Sequence, residues 1–292
     1  MKDVPKVVVL MAAYNGMEWI QEQVNSIFSQ KNVDITLIIS VDISNDGTDL
    51  WVKNLSEISK NVVFLPYGEH FGGAGANFYR LIRDVDFSDF DCVAFSDQDD
   101  IWLDRKLERA CSLIASKVCD VYSSDVIAFW PDGKQQLIKK SYAQKKYDYF
   151  FEAAGPGCTY VFNLHSAIAL QKFVQNTSDL VDRISLHDWL AYAFCRQNGF
   201  IWHIDDHPLM LYRQHSSNQV GINNGIKAYI KRLKLIKQHW YKNQVINISE
   251  LVAPSVPLEI KSYFFRISNS LSFRRRLRDR VILIFMFILG IY

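Results

Sequence analysis

Ala94-Phe95-Ser96-Asp97-Gln98-Asp99-Asp100-Ile101-Trp102 is the stretch on which the reading of this 292-residue chain turns. An apolar run, Cys92 to Phe95, leads into three carboxylates within four residues. Carboxylates gathered away from water repel one another and are costly to desolvate unless a cation or hydrogen-bond donors compensate them. A strand ending in Asp-x-Asp therefore points to a hard divalent ion, Mg²⁺ or Mn²⁺, held by oxygen and shared with phosphates. A solvated acidic turn has the same spelling. The strand before it and the amphipathic helix after it favour the metal.

Working outward, Lys6 to Ala13 is a continuous apolar run, as expected of a strand covered on both faces. Ile20, Val24, Ile27 and Phe28 then fall at helical spacing. Ile35 to Val41 is a second strand, followed by turn chemistry from Asp42 to Thr48. Leu50, Val52, Leu55 and Ile58 mark another helix, Val62 to Leu65 a third strand. Gly72-Gly73-Ala74-Gly75 opens a helix through Phe78, Leu81 and Ile82. Four strands alternating with helices predict a mostly parallel α/β sheet. Ligands of such sheets sit at the carboxyl ends of the strands. Those ends carry Tyr14-Asn15, Asp42 and Asp97-Gln98-Asp99.

The second half changes character. Val121 to Trp130, Pro131-Asp132-Gly133 and Gln135 to Ile138 read as a hairpin. Cys158 to Phe162 and Phe200 to Ile204 are short strands, and His187-Asp188-Trp189 begins a helix. The expected boundary is Val220 to Gly225, where Gly and Asn cluster. Five cysteines without a Cys-x-x-Cys pair predict reduced thiols in a cytosolic protein, and exclude a zinc or disulfide framework.

Net charge is +2, but residues 1–220 hold 20 Lys+Arg against 28 Asp+Glu, and residues 221–292 hold 13 against 3. The parts therefore carry −8 and +10. An acidic body with a basic tail predicts metal-dependent chemistry joined to attachment at something anionic. Residues 227–242 alternate basic and apolar side chains, and Arg274 to Arg280 precede the apolar run Val281 to Leu289. No segment reaches the roughly 20 apolar residues of a spanning helix. Interfacial attachment to anionic lipid is expected, with packing on the body as the alternative. Nucleic acid is opposed by the acidic body.

Taken in order, Ala13-Tyr14-Asn15-Gly16, Asp42 to Thr48, Asp97-Gln98-Asp99-Asp100-Ile101-Trp102, Gly157-Cys158-Thr159, His187-Asp188-Trp189 and Tyr212-Arg213-Gln214-His215-Ser216-Ser217-Asn218 resemble the family 2 glycosyltransferases. The resemblance spans residues 6–221 and is nearest to the rhamnosyltransferase-like branch that builds bacterial surface polysaccharides. It implies the GT-A nucleotide-sugar-binding fold over residues 1–220, with 221–292 as a helical basic extension. Val41 and Ile43 stand where the family usually has Asp and Gly, and His187 where it more often has Glu.

The resemblance also implies roles. Asp42 would accept from the imide N–H of a uracil or thymine base, Tyr14 would stack on it, and Asn15 belongs to the same nucleotide site. Asp99 would hold the metal and Asp97 the ribose or a metal-bound water, with His215 a further metal or phosphate ligand or a loop histidine. Asp188 would be the general base of an inverting transfer. Gly157, Cys158, Thr159, His187, Trp189 and Arg213 would shape the donor-sugar and acceptor region, Arg213 touching diphosphate. Asp100 is expected to cap the following helix, and Trp102 to pack.

The implied reaction moves a sugar from a UDP- or dTDP-type donor to a lipid-linked glycan, in O-antigen or capsule synthesis, on the inner face of the cell membrane. Because every site residue precedes Gly221, truncation after Ser272 is expected to leave an active enzyme. The rivals are a nucleotidyltransferase, which should carry a Gly-rich basic loop after its first strand, and a non-catalytic nucleotide- or glycan-binding module.

Overall fold

The computed structural model describes residues 4–215, 239–255 and 257–290. The expected boundary at Val220 to Gly225, the Ser216-Ser217-Asn218 end of the last motif and most of the basic segment 227–242 lie outside the described residues.

β1 (Lys6–Ala13), β2 (Asp34–Val41), β3 (Val62–Phe64) and β4 (Cys92–Ser96) are the four predicted strands. They are joined by α1 (Ile20–Phe28), α2 (Thr48–Ile58) and α3 (Ala74–Asp84), and lie parallel in the order β3-β2-β1-β4. β1 is apolar throughout because helices cover both of its faces. Val7, Val9 and Met11 pack with Ile20, Val24 and Ile27 of α1, whereas Val8 and Leu10 pack with Phe78, Leu81 and Ile82 of α3. Ala13 stands opposite Val41 and Met11 opposite Ser96. The three strands thus end nearly level, and Tyr14, Asp42 and Asp97 emerge along one edge.

The sheet continues through β9 (Val161–Asn163), antiparallel to both neighbours, then β6 (Val121–Ser124) and β10 (Trp202–Asp205). A second sheet has the order β5-β11-β7-β8, with β5 at Ile101–Trp102, β7 at Val126–Phe129, β8 at Gln135–Ile138 and β11 at Met210–Arg213. The run Val121 to Trp130 is therefore divided: β6 joins the large sheet, and only β7 pairs with β8 as a hairpin. Asp125 marks the crossing. Its buried carboxylate accepts from the Lys140 and Ser141 backbone N–H groups and the Ser141 hydroxyl. Gly157-Cys158-Thr159 forms a 3-10 turn, so the strand expected from Cys158 begins only at Val161.

α4 (Lys106–Ala115), α5 (Leu164–Asn176), α6 (Ser178–Val181) and α7 (His187–Gln197) complete the body. The C-terminal part forms α8 (Trp240–Val252), α9 (Pro257–Lys261), α10 (Tyr263–Ser268) and α11 (Leu277–Ile288). These helices are integral to the body. Val245, Ile248, Phe273, Leu283 and Phe287 are buried in the same core as Phe78, Phe95 and Trp189. Phe273 stacks on Phe151 at 4.1 Å, and Arg275 reaches Asp148 and Glu152 at 3.5 and 3.7 Å. The expectation of an active enzyme truncated after Ser272 is corrected accordingly. Each large apolar side chain removed from a core forfeits about 1.5–3 kcal/mol, and three of them follow Ser272.

The other face of these helices is open. Phe264, Leu277, Val281, Ile282, Phe285, Ile288 and Leu289 are exposed. No helix among the described residues is long and apolar enough to cross a membrane. All five cysteines are buried free thiols.

Candidate active site

A cavity of about 970 Å³ opens along the carboxyl ends of β1, β2 and β4 and runs to the C-terminal helices. Tyr14, Asn15, Asp42, Asp97, Asp99, Gly157, His187, Asp188, Trp189 and His215 all line it.

On its first wall, Asp42 is buried at the end of β2 and accepts from the backbone N–H groups of Phe71 and Gly72, both at 3.0 Å. The His70 Nδ1 lies 3.2 Å from the same carboxylate. Gly72 has φ +73, a left-handed conformation that a side chain resists, and so lets the loop fold back over Asp42. Asn15, at φ 44, accepts from Asn45 N–H through its side chain, and its own N–H donates to Ser44 Oγ. Gln98 clasps the Tyr14 backbone with one donated and one accepted bond, each 2.8 Å. A Cβ at Gly16 would sit 2.2 Å from the Gln98 Oε1, so only glycine admits that clasp. The Tyr14 ring is left half exposed.

At the centre stand the acidic residues. Asp99 Oδ2 lies 2.7 Å from His215 Nε2, and the His215 ring stacks on Trp19 at 4.1 Å. Burial first, then the charges of Asp99 and more distant Asp188, push Asp97 up to about 7, against a hydrogen bond from Cys158. Asp100 is driven well above the usual carboxylate range by burial, then by Asp99 and Asp97. Its Oδ1 accepts from Arg213 N–H, while Oδ2 is buried without a partner. Asp97, Asp100 and Cys158 present ligand atoms within 4.8 Å of one another. Carboxyl groups crowded and desolvated in this way are relieved by a cation. Asp97, Asp99 and His215 offer oxygen and imidazole donors that suit Mn²⁺ or Mg²⁺.

Beyond them α7 begins. His187 stacks on Phe78 at 3.8 Å, and burial alone lowers its pKa to about 3, so the ring is neutral. Asp188 accepts from Trp189 N–H at 2.7 Å. Burial raises it to about 6, with backbone hydrogen bonds and the Lys140 ammonium drawing it back down. A Cβ on Gly157 would come 2.6 Å from His187 Nε2 and 3.1 Å from Asp188 Cβ, so the glycine is what lets this turn approach α7. The far wall is made by Lys140, Glu152, Trp240, Tyr241, Arg274 and Asp279.

Several sequence assignments are corrected by this geometry. Arg213 is turned from the cavity: Nε donates to the Asp99 carbonyl at 2.8 Å, the guanidinium pairs with Glu22, and it lies over the Phe129 ring. Of Gly157-Cys158-Thr159 only Gly157 reaches the cavity. Cys158 and Thr159 are fully buried, the Thr159 hydroxyl donating to the Pro156 carbonyl. Trp189 does line the cavity, but it is almost wholly buried, its indole N–H donating to the Tyr149 carbonyl. Asp100 caps no helix, since α4 starts after Arg105. Trp102 packs as expected, with the buried Lys106 ammonium 3.6 Å above its ring. Sequence reasoning missed His70, Trp19 and most of the far wall, gave Gln98 no role of its own, and read Arg274 only as part of a basic cluster. Otherwise only Gly72-Gly73 carried a signal, read there as a helix start alone.

The model of glycosyl transferase family 2 matches residues 8–172. The chain belongs to that family and is a glycosyltransferase. The dTDP-rhamnosyl transferase RfbG of Shigella flexneri is 43% identical over 97% of this chain and 100% of its own length. WfgD of Escherichia coli, a UDP-Glc:alpha-D-GlcNAc-diphosphoundecaprenol beta-1,3-glucosyltransferase, is 26% identical over 51% of this chain and 56% of its own. Among solved structures, S. aureus TarS in complex with UDP superposes with a TM-score of 0.59 at 14% identity, over 94% of this chain and 77% of that one. The mannosyltransferase PcManGT from Pyrobaculum calidifontis, in complex with GDP-Man and Mn²⁺, gives 0.54 at 15% identity, over 100% and 82%. The fold is that of GT-A glycosyltransferases, with a mostly parallel central sheet.

Proposed function

We propose that this enzyme is an inverting, divalent-metal-dependent transferase. It moves a deoxyhexose, rhamnose, from a dTDP-type donor to a lipid-linked glycan in bacterial surface-polysaccharide synthesis. The observation that carries the reading is that Asp42, Tyr14, Asp97, Asp99, His215 and Asp188 all line one cavity. Likeness to RfbG supports the donor, and likeness to WfgD supports an acceptor sugar carried on a diphosphate lipid.

Asp42, fixed by the backbone N–H groups of Ile43, Phe71 and Gly72, keeps a lone pair on Oδ2 for the imide N–H of thymine or uracil. Tyr14 offers its half-exposed ring to the base. Asp97, Asp99 and His215 would hold Mn²⁺ or Mg²⁺, which when bound supplies charge stabilisation to the departing nucleoside diphosphate. Asp188 takes the proton of the attacking acceptor hydroxyl. A carboxylate raised to about 6 is ionised at neutral pH yet more basic than a solvated one. His187, neutral and stacked, sets the start of α7 and so the direction of Asp188.

The open apolar face of α10 and α11, bordered by Lys261, Arg276 and Arg278, supports peripheral attachment to the anionic cytoplasmic leaflet. The test of the whole reading is nucleoside diphosphate release from a panel of dTDP- and UDP-sugars with Mn²⁺. Turnover should be selective for one donor, stop in EDTA and return with added metal. Full turnover under thorough chelation, or no donor consumed at all, overturns it. Flotation with phosphatidylglycerol liposomes tests the attachment, and high salt should release part of the bound protein.

A further inference from the structure

Beside the catalytic cavity lies a second one of about 220 Å³, lined among others by Lys139, Lys140, Tyr142, Glu152, Arg275 and Arg276. The two cavities share Ile138, Lys140, Glu152 and Asp279, so they meet at a common wall close to the proposed acceptor end. Sites for whole small-molecule ligands usually measure about 300–1,000 Å³. This one is sized for a headgroup.

Its charge is unbalanced. Glu152 is already shared between Arg274 and Arg275, and Asp279 pairs with Arg278. Among the described residues no carboxylate lies within ion-pair distance of Lys139, Lys140 or Arg276. Arg275 is only 4% exposed, and its guanidinium is already committed to Asp148 and Glu152 at 3.5 and 3.7 Å, so the cations left without a carboxylate are Lys139, Lys140 and Arg276. The Arg275 Nη2 is anchored on the carbonyls of Ala153 and Ala154. The other cations are placed by the fold too. Asp125 binds the backbone of Lys140, and the Lys140 stem lies across Gly155, where a Cβ would come 3.3 Å from its Cγ. Burial, then Arg275 and Arg274, lower the Lys140 pKa, against the Glu152 and Asp188 carboxylates, which raise it. Such a group is relieved by an anion with several acceptor oxygens.

From this arrangement we propose that the small cavity binds the diphosphate of a polyprenyl-diphosphate-linked acceptor, with the acceptor sugar reaching through the shared wall to Asp188. The assignment rests on the lipid-linked acceptor of the proposed function. The prenyl chain has a path, because Leu277, Val281 and Phe285 form the exposed apolar face of α11 just after Arg276. An anionic phospholipid headgroup offers related phosphate chemistry, and the experiment separates the two.

Full-length protein in EDTA is titrated calorimetrically with farnesyl diphosphate, and with farnesol as the uncharged control. The double variant Lys139→Ser/Arg276→Ser, both exposed positions, is compared after its melting temperature is checked. Farnesyl diphosphate should bind the parent better than farnesol, and the variant at least tenfold more weakly. Parent-like affinity in the variant overturns the assignment, as does a parent that does not distinguish the two probes. Loss of flotation on phosphatidylglycerol vesicles with farnesyl diphosphate affinity intact also overturns it, and makes the cavity a headgroup site. Failure of the proposed function reads differently, as absence of dTDP- or UDP-sugar turnover by the parent with Mn²⁺.

Discussion

Along the nucleotide wall, the loops after β1, β2 and β4 are tied together by hydrogen bonds: Asp42 to Phe71 and Gly72, Asn15 to Asn45, Gln98 to Tyr14. Across the cavity, Trp189 stacks on Tyr241 at 5.6 Å, Phe151 on Phe273, and Arg274 and Arg275 reach Glu152. The first wall is directional and mostly backbone. The second is assembled from side chains of separate elements, most of them more than a hundred residues apart, by packing and charge. Directional bonds between strand ends hold atoms where chemistry needs them. Packed rings and ion pairs can be re-cut without moving the strands.

The largest effect should come from breaking the second wall outright. Ending the chain after Ser272 removes Phe273, Leu283 and Phe287 from the core and leaves Asp148 without Arg275. At about 1.5–3 kcal/mol for each apolar side chain, the loss approaches the roughly 5–15 kcal/mol margin of an ordinary domain. Urea melts should show a product that is aggregated or severely destabilised. A truncated protein with unchanged midpoint would mean that the two walls are independent.

Asp188→Asn acts where the walls meet. Turnover should fall by roughly 10²–10⁴, the usual scale for a general base, while calorimetry finds nucleoside diphosphate affinity unchanged. In the parent, kcat/KM should decline below about pH 6, where the carboxyl is protonated. A flat profile from pH 5 to 8 would return the role to another residue.

Gly157→Ala probes the seam more gently. The new Cβ, 2.6 Å from His187 Nε2, must displace a buried ring stacked on Phe78. A stability loss of about 1–3 kcal/mol is expected, with a fall in kcat that exceeds any change in donor affinity. Equal changes in both would mean that the nucleotide wall had moved as well.

The remaining effect concerns stability alone. Because the folded pKa of Asp188, about 6, lies above its ordinary 3.8, the folded state holds this proton more tightly than the unfolded chain. The associated stability is fully present below the ordinary value and is lost as pH rises through 6. Asp188→Asn should therefore raise the melting free energy at pH 8 by about 3 kcal/mol, and by well under about 1 kcal/mol at pH 4. A destabilised variant at pH 8 would show that the carboxylate is structurally needed.

The same contrast explains what could be read from the chain. β1, β2 and β4 are buried on both faces, so their apolar runs stood out, and the residues after them followed from topology. Lys140 carried no local signal and Arg274 only that of a basic cluster, because what gives them meaning is a carboxylate such as Asp188 or Glu152 elsewhere in the sequence. Arg213 looked like a phosphate ligand, but its guanidinium is spent on Glu22, 191 positions away. A basic, amphipathic C-terminal pattern has the same spelling whether its apolar face meets lipid or protein, and here it meets both protein and open surface. Asp125 reads as one residue in a hairpin arm, and only the three-dimensional crossing shows it dividing two sheets.

The link between Arg275 and the Asp148 and Glu152 carboxylates has a consequence for inheritance. The segment of the proposed acceptor wall, residues 240–279, lies wholly beyond the family match at 8–172, so exchanging it by recombination would be the direct route to a new acceptor. A graft of that segment alone would strand Glu152 in the recipient's interior and leave Asp148 to Arg196 and Tyr192 alone, and the hybrid would be selected against before its new specificity could be tested. The heritable unit is discontinuous. Residues around 148–152 must travel with the C-terminal helices, or co-evolve with them, while the strand ends that handle the donor stay as they are.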